Sequence, residues 1–432
     1  MSRNAAMVAV FAWGLITLGS VHAQAPTGTI AGRVLDPSGA AIPGARILVT
    51  NKQTGAQRVL LATNEGDYSA PALLVGVYEV TVEAPGFQRL AREAIIETGS
   101  TTTVNLTMQL GATTYTVSVD AASPQIRYDT HEVGGVVTRP QIEGLPLNGR
   151  SFLELAKLEP GAQPPTRGSN NRTFVPVLGQ TVGNSGRGTR VSIDGGSIMA
   201  IGQGGSAMGF SQEVVQEFQI STVNFDLTTG LTDGASVNVV TRSGSNVLHG
   251  TAFYFFRDHN LAAYPALKRD PANPTPFFQR RQFGFALGGP VRRDRLFFLG
   301  NWERNEQRGV VATTLFGQDF AHFSRITASP LFGDQLSVRV DGQISNTHTA
   351  FVRYSHDGSR AFAPTTGTLH PKFSYPSNWT RQQAWADQTM LGITSVLRPT
   401  LVNDLRFSYF FISSSETSPT DQDCPGCLGI GA

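Results

Sequence analysis

Seven segments of alternating apolar and polar residues fill the chain from Gly250 to Phe411: Thr251–Arg257, Gln282–Gly288, Leu296–Arg304, Leu336–Asp341, Thr347–Ser355, Gln388–Leu397 and Leu401–Phe411. Successive side chains of a strand point to opposite faces. Phe283, Phe285 and Leu287 therefore share one face, and Gln282, Gly284, Ala286 and Gly288 the other. Leu336, Val338 and Val340 oppose Ser337, Arg339 and Asp341; Leu405, Phe407, Tyr409 and Phe411 oppose Asp404, Arg406 and Ser408. The connections alternate between short turns (Gly289–Arg295, Gly342–Asn346, Arg398–Thr400) and long loops, the third carrying Phe373, Tyr375, Trp379 and Trp385. A transmembrane β-barrel has this pattern, with apolar residues toward lipid, polar ones toward the lumen, and loops long on one side only. A soluble antiparallel sheet with one wet face shares the alternation, but long and short connections over three hairpins favour the barrel. Tyr254, Trp302, Tyr354 and Tyr409 are expected near strand ends, where aromatic girdles form. Seven strands fall well short of the roughly 22 of a plugged barrel. The chain closes on Leu428-Gly-Ile-Gly-Ala432 without a terminal aromatic, so an N-terminal fragment of a longer barrel is expected.

The start of the chain supports export. Arg3, an apolar run from Ala5 to Leu18, and Val21-His22-Ala23 read as a signal peptide over residues 1–23. A membrane anchor is the other reading, but the run is short for a span and contains Gly14. No other stretch approaches 18 apolar residues, so a membrane location has to be reached with strands. Charged residues are 15% of the chain, below the roughly 25% of soluble domains. The net charge of +2 gives no argument for nucleic acid.

Residues 27–111 alternate with period 2 between closely spaced turns, as a β-sandwich of about seven strands does. Ala45, Ile47 and Val49 are expected inside, as are Tyr78, Val80 and Val82 against Glu79, Thr81 and Glu83. The last strand should bury Val104, Leu106, Met108 and Leu110. Gly32, Val34, Asp36, Gly39, Pro43-Gly44-Ala45, Gly66-Asp67-Tyr68, Gly76-Val77-Tyr78 and Gly86-Phe87 resemble the carboxypeptidase regulatory-like family, which implies a transthyretin-like, carbohydrate-binding-like sandwich. Peptidase chemistry is not implied. A zinc peptidase needs closely spaced His and Glu ligands, the module has no His, and no His of the chain has a Glu three residues later. No cofactor or metal is expected.

Residues 112–124 form a polar, strand-prone linker, and 125–249 a small α+β unit. Thr138 with Pro140 reads as the cap of a short helix; Ser151 and Glu154 read as a capping box before Phe152, Leu155 and Leu158. Residues 164–188 read as a loop. Arg190 to Asp194 is a short strand closed by Asp194-Gly195-Gly196, Ser211 to Phe218 a short helix capped by Ser211, and Ser236 to Thr241 a strand. The strings from Leu145 to Gly161, Val191 to Gly196, Glu213 to Ile220, Gly234 to Asn246 and His249 to Asp258 together resemble TonB-dependent outer-membrane receptors of the Oar-like group.

That resemblance implies a mainly β protein: an N-terminal sandwich, a plug, and the first strands of an antiparallel outer-membrane barrel over 250–432. It implies outer-membrane lipid, an extracellular ligand (oligosaccharide, peptide or chelated iron) and the TonB energy-transducing complex as partners. Thr116, Val117, Ser118 and Val119 look like the extended segment that pairs with TonB by strand addition; a first plug strand is the alternative. Cys424 and Cys427, in Cys-Pro-Gly-Cys, read as a local disulfide, since no further zinc ligands lie nearby. A rival of another class is a surface adhesion or carbohydrate-binding protein on a β-rich scaffold.

Overall fold

A computed structural model describes residues 27–111, 115–116, 133–145, 147, 149–159, 189–200, 205–223, 235–263, 269, 273–313, 324–364, 375–398 and 401–426. The expected signal peptide over 1–23, Val117–Val119, the expected loop over 164–188 and Cys427 lie outside them.

The sandwich packs two sheets. One holds β1 (Thr27–Leu35), β4 (Asp67–Leu74) and β7 (Thr101–Thr103) in the order β4-β1-β7, with β8 (Leu106–Thr107) also on β1. The other holds β2 (Arg46–Asn51), β3 (Gln57–Leu61), β5 (Gly76–Glu83), β6 (Leu90–Ile96) and β9 (Tyr115–Thr116) in the order β3-β2-β5-β6-β9. Ile30, Ile47, Val49, Tyr78, Val80, Val82, Leu106 and Met108 fill the space between them. Two facings differ from expectation. Leu110 is exposed, because β8 ends at Thr107 and leaves Leu110 only an isolated bridge to Phe87. Thr81 is buried on the outer face, in the centre of its sheet between Leu48 and Ala91. β9 runs parallel to β6, pairing Tyr115 with Leu90 and Thr116 with Ala91, so Thr116 belongs to the sandwich edge and not to the plug.

The plug is built on a five-stranded sheet in the order β10-β15-β16-β11-β12, from β10 (Val133–Val137), β11 (Thr189–Ile193), β12 (Gly196–Ser197), β15 (Val215–Val223) and β16 (Ala235–Thr241). A small hairpin, β13 (Met199–Ala200) with β14 (Gly205–Ser206), lies beside it. Helix α1 (Arg139–Gly144) starts where Thr138 and Gln141 form a capping box. Phe152–Leu158 is a 3-10 helix in which the Ser151 side chain caps nothing. The expected helix from Ser211 to Phe218 is a single 3-10 turn, Gln212–Val214, followed by β15. The local cap is present, Ser211 Oγ accepting from the Glu213 amide. Beyond it, pairing of Phe218 with Val239 and of Ile220 with Val237 gives the backbone sheet partners and buries both apolar side chains.

The remaining chain is one antiparallel sheet, in chain order apart from a short side strand: β17 (His249–Asp258), β18 (Phe278–Arg292), β19 (Leu296–Thr313), β21 (Leu331–Gln343), β22 (His348–Pro364), β23 (Trp379–Arg398) and β24 (Leu401–Thr417). Short β20 (Arg325–Ala328) pairs with the far end of β19. Its inner face is polar and covered by the plug: Gln282, Asn301, Ser337, Arg339, Arg353, Ser355 and Gln388 are all buried. Its outer face shows Phe285, Leu287, Val338, Leu391, Leu405 and Phe407. This inverts a soluble protein and is the arrangement of a barrel in lipid.

The strands are longer than the alternation suggested, so Trp379 and Trp385 lie in β23 and not in a loop. Tyr254, Trp302, Tyr354 and Tyr409 consequently sit in strand interiors. On β19 and β22 outward ionisable groups begin one step beyond Trp302 and Tyr354, whereas Phe256 and Phe411 follow Tyr254 and Tyr409 on the same face. Arg304 binds Glu306 and Asp334, and His356 and the Tyr354 hydroxyl both reach Asp387. Trp302 packs edge-on against Phe283, with ring centres 5.8 Å apart. Trp302 and Tyr354 thus mark the upper edge of the apolar band on β19 and β22, and the strands continue past it.

Candidate functional site

The site the fold creates is the seat of the plug on the inner face of the barrel wall. It begins at the turn between β11 and β12, where Asp194 and Gly195 take left-handed backbone angles (φ 50° and 89°) and turn the Asp194 carboxylate toward the wall. Asp194 accepts from the Thr241 amide (2.9 Å) and hydroxyl (2.7 Å) of its own sheet. From the barrel, Arg353 Nε donates to it at 2.8 Å and Arg339 Nη1 lies at 3.4 Å. Arg406 Nη1 donates to its carbonyl oxygen at 2.9 Å. Three barrel strands, β21, β22 and β24, therefore hold one plug residue.

The three guanidinium groups are balanced. Arg339 is bidentate to Asp341, and Arg406 pairs with Asp404 at 3.0 Å, so with Asp194 three carboxylates face three arginines. Arg353 is completed by Ser355 Oγ (2.7 Å) and Gln388 Oε1 (2.9 Å). Gly196 follows the turn at a close approach to the wall: a Cβ there would lie 2.5 Å from Met390 Sδ and 2.6 Å from Ser408 Oγ, so a larger residue would have to push those side chains aside.

A second seat forms around the 3-10 turn before β15. Glu213 takes Arg150 at 2.6 Å and Arg139 at 3.4 Å from the plug, and the Thr251 hydroxyl of β17 at 3.1 Å. Ser211 Oγ donates to Glu303 of β19 at 2.6 Å, and Gln282 of β18 donates to the same carboxylate. The Arg150 guanidinium lies 3.9 Å from the ring centre of Phe253 of β17, in cation–π contact. A third contact runs from the Gly209 amide to Asp357 of β22 at 2.7 Å.

Burial pushes the Asp194 carboxyl up, but Arg339 and Arg353 outweigh it and hold the group below its ordinary value of 3.8. Burial also raises Glu213; Arg150 and Arg139 reverse this and hold it below 4.5. A carboxylate whose folded pKa is depressed adds stability at pH values above its unfolded pKa, and that stability is lost as pH falls through the folded value. The plug should stay seated at neutral pH and loosen progressively below about pH 4. Amide hydrogen exchange of β11 and β16, corrected for the intrinsic rate, checks this; equal protection at pH 3 and pH 7 would contradict it.

Two cavities lie along the inner face, one beside the seat and one away from it. One of about 480 Å³ lies where sandwich, plug and short-turn ends of the strands meet, bordered by Asn51, Gln53, Thr241, Arg242, Phe297 and Arg406. The other, about 460 Å³, lies at the far end of the wall, bordered by Arg257, His259, Phe277, Phe278, Val311 and Leu331. Among the described residues no group of three or more His, Cys, Asp or Glu could hold a metal ion. Of the residues singled out from sequence, Thr116 is paired in β9, and Cys424 is buried and disulfide-bonded. None of the described ones is in the seat. Asp194 and Arg339 carried a signal, a carboxylate in a tight turn and a charge on the inner face of a strand, but nothing local joins them.

Residues 240–317 and 311–431 match the outer membrane beta barrel domain family, and residues 29–109 the carboxypeptidase regulatory-like domain family. The chain is 29% identical over 308 residues to the TonB-dependent transporter Oar of Myxococcus xanthus, an alignment covering 68% of this chain and 28% of that relative. Among solved structures, the outer membrane transporter YddB from Escherichia coli aligns with a TM-score of 0.47 at 11% identity, over 64% of this chain and 39% of the other. A ferric enterobactin receptor from Pseudomonas aeruginosa aligns with a TM-score of 0.43 at 10% identity, over 65% and 41%.

Proposed function

We propose that this outer-membrane protein, with its barrel strands, its carboxypeptidase regulatory-like sandwich and its similarity to a TonB-dependent transporter, acts as a plugged receptor that takes up an extracellular ligand by energy-coupled transport. The observation that carries the reading is the Asp194 seat. A separately folded unit is held inside the wall by charged side chains from three strands, and a pore closed this way needs work to open. Such pairs are geometrically exacting and costly to break one at a time, which suits a plug that stays shut until force is applied.

The ligand enters from the far end of the wall, where the cavity around Phe277 and Phe278 opens, and belongs to the oligosaccharides, peptides or iron chelates. Thr116, Val117, Ser118 and Val119 supply the extended segment for TonB. Strand addition uses backbone hydrogen bonds and so tolerates a single side-chain replacement. Val117→Cys in cells should form a disulfide-linked adduct with a cysteine-bearing TonB, and Val117→Pro, which removes a donor, should not form one after Cys is moved to Ser118. Absence of any adduct at normal outer-membrane abundance would overturn TonB coupling through this segment.

A further inference from the structure

The sandwich does not hang free of the plug. Its turn between β6 and β7 presses on the plug strand β15: the Thr98 amide donates to Glu217 Oε1 at 2.6 Å, and a Cβ on Gly99 would lie 2.9 Å from Gln219 Oε1. Glu217 and Thr98 are both buried by this contact region. A second point lies between β2 and β3, where the Gln53 carbonyl accepts from the Asn246 amide at 2.9 Å, in the link from plug to barrel. Asn246 is in turn clasped to the β18–β19 turn through its side chain: Nδ2 donates to Asp294 Oδ1 at 2.7 Å and Oδ1 accepts from the Asp294 backbone amide at 2.8 Å. Gly55 lies against the same Asp294, 2.4 Å from where its Cβ would be. The sandwich is thus bonded to the plug sheet and to the plug–barrel link and lies against a barrel turn, with the 480 Å³ cavity between them.

We propose that the sandwich is a latch on the plug: docked, it holds the plug sheet against the wall, and the pore opens only when the Thr98–Glu217 and Gln53–Asn246 contacts part. This rests on the plugged-receptor reading. The chemistry fits a latch better than a permanent weld. The two units each have their own apolar core, hydrogen bonds run between them, and among the described residues no buried apolar cluster spans both.

The turn allows a narrow test. Ser100 N bonds Glu97 O, Gly99 has φ +66°, and Thr98 is not among the residues of positive φ, which places Thr98 at the second position of a type II turn. Proline is favoured there. Thr98→Pro therefore removes the donor to Glu217 while keeping the sandwich fold. Conversely, an amide–carbonyl bond brings two backbones within roughly the 4.4–6.8 Å that a disulfide spans, so Gln53→Cys with Asn246→Cys locks the latch. The protein purified from outer membranes is placed in planar bilayers, with potassium chloride as the conducted probe, and urea is raised until channels open. Thr98→Pro should open at a urea concentration about 1 M lower than the parent. The oxidised double-cysteine protein should open at a higher one than its own reduced form, which lacks the Asn246 clasp to Asp294 and should open at or below the parent threshold. One threshold for parent, proline variant and both redox forms would overturn the latch and leave the plugged receptor standing. A parent that conducts freely without urea would overturn the plug itself.

Discussion

Asp194→Ala should unseat the plug at a cost of about 3–5 kcal/mol, the usual penalty for removing one partner of a buried ion pair. The loss is large because Arg353, which is fully buried, and Arg339 would face only Asp341 and Asp404 among the carboxylates of the cluster. Thr241 would also lose the acceptor for both its amide and its hydroxyl. Asp194→Asn removes the charge and turns one of the two acceptor oxygens into a donating amide nitrogen, so one bond to Thr241 or Arg353 goes with the charge while the other oxygen keeps accepting; this variant should fall between. Urea unfolding of the plug, followed by protease sensitivity, ranks the three proteins; an alanine variant within 1 kcal/mol of the parent would show that the cluster is incidental to seating.

Leu287→Arg should cost the inserted barrel about 2–4 kcal/mol, the range for Arg at the middle of the lipid-facing band. Leu287 is the centre of the outward series Phe283, Phe285, Leu287, Gly289 and Val291, and its side chain is exposed. Ala286→Ser, one residue away on the buried inner face, should be nearly silent, since that face is polar already. Heat-modifiable migration in detergent and urea midpoints in liposomes report both. Equal effects would mean that the facing of β18 is wrong.

The facing of the wall was legible because one physical demand, lipid outside and a polar inside, acts on every second residue of β18, β21 and β24. Strand length was not. Past Arg304 the outer face of β19 leaves the apolar band, Glu306 and Arg308 are as polar as their inward neighbours, and the alternation that marks a strand disappears while its pairing continues to Gly309 and beyond. The turn at Ser211 shows a different limit. Its capping signal is local and correct, but whether the chain continues as helix or strand was decided by β16, some twenty residues away. The seat was the least legible part. Asp194 and Arg353 are 159 residues apart, and each alone reads as an ordinary turn carboxylate and an ordinary inward arginine.

The surplus length of the strands has a consequence for what an arriving solute meets. β23 has 20 residues; at about 3.4 Å each and a tilt of roughly 40° it rises about 50 Å, some twice the height of the apolar band. The upper half is a chimney of paired backbone standing above the bilayer. Its inner lining, Arg257, Gln307, Leu331 and Ala361 among others, is held in register by cross-strand bonds. A binding surface built on such a frame has little freedom left to lose when a guest arrives. New specificities can then arise by exchanging single inward side chains, with the masonry around them unchanged.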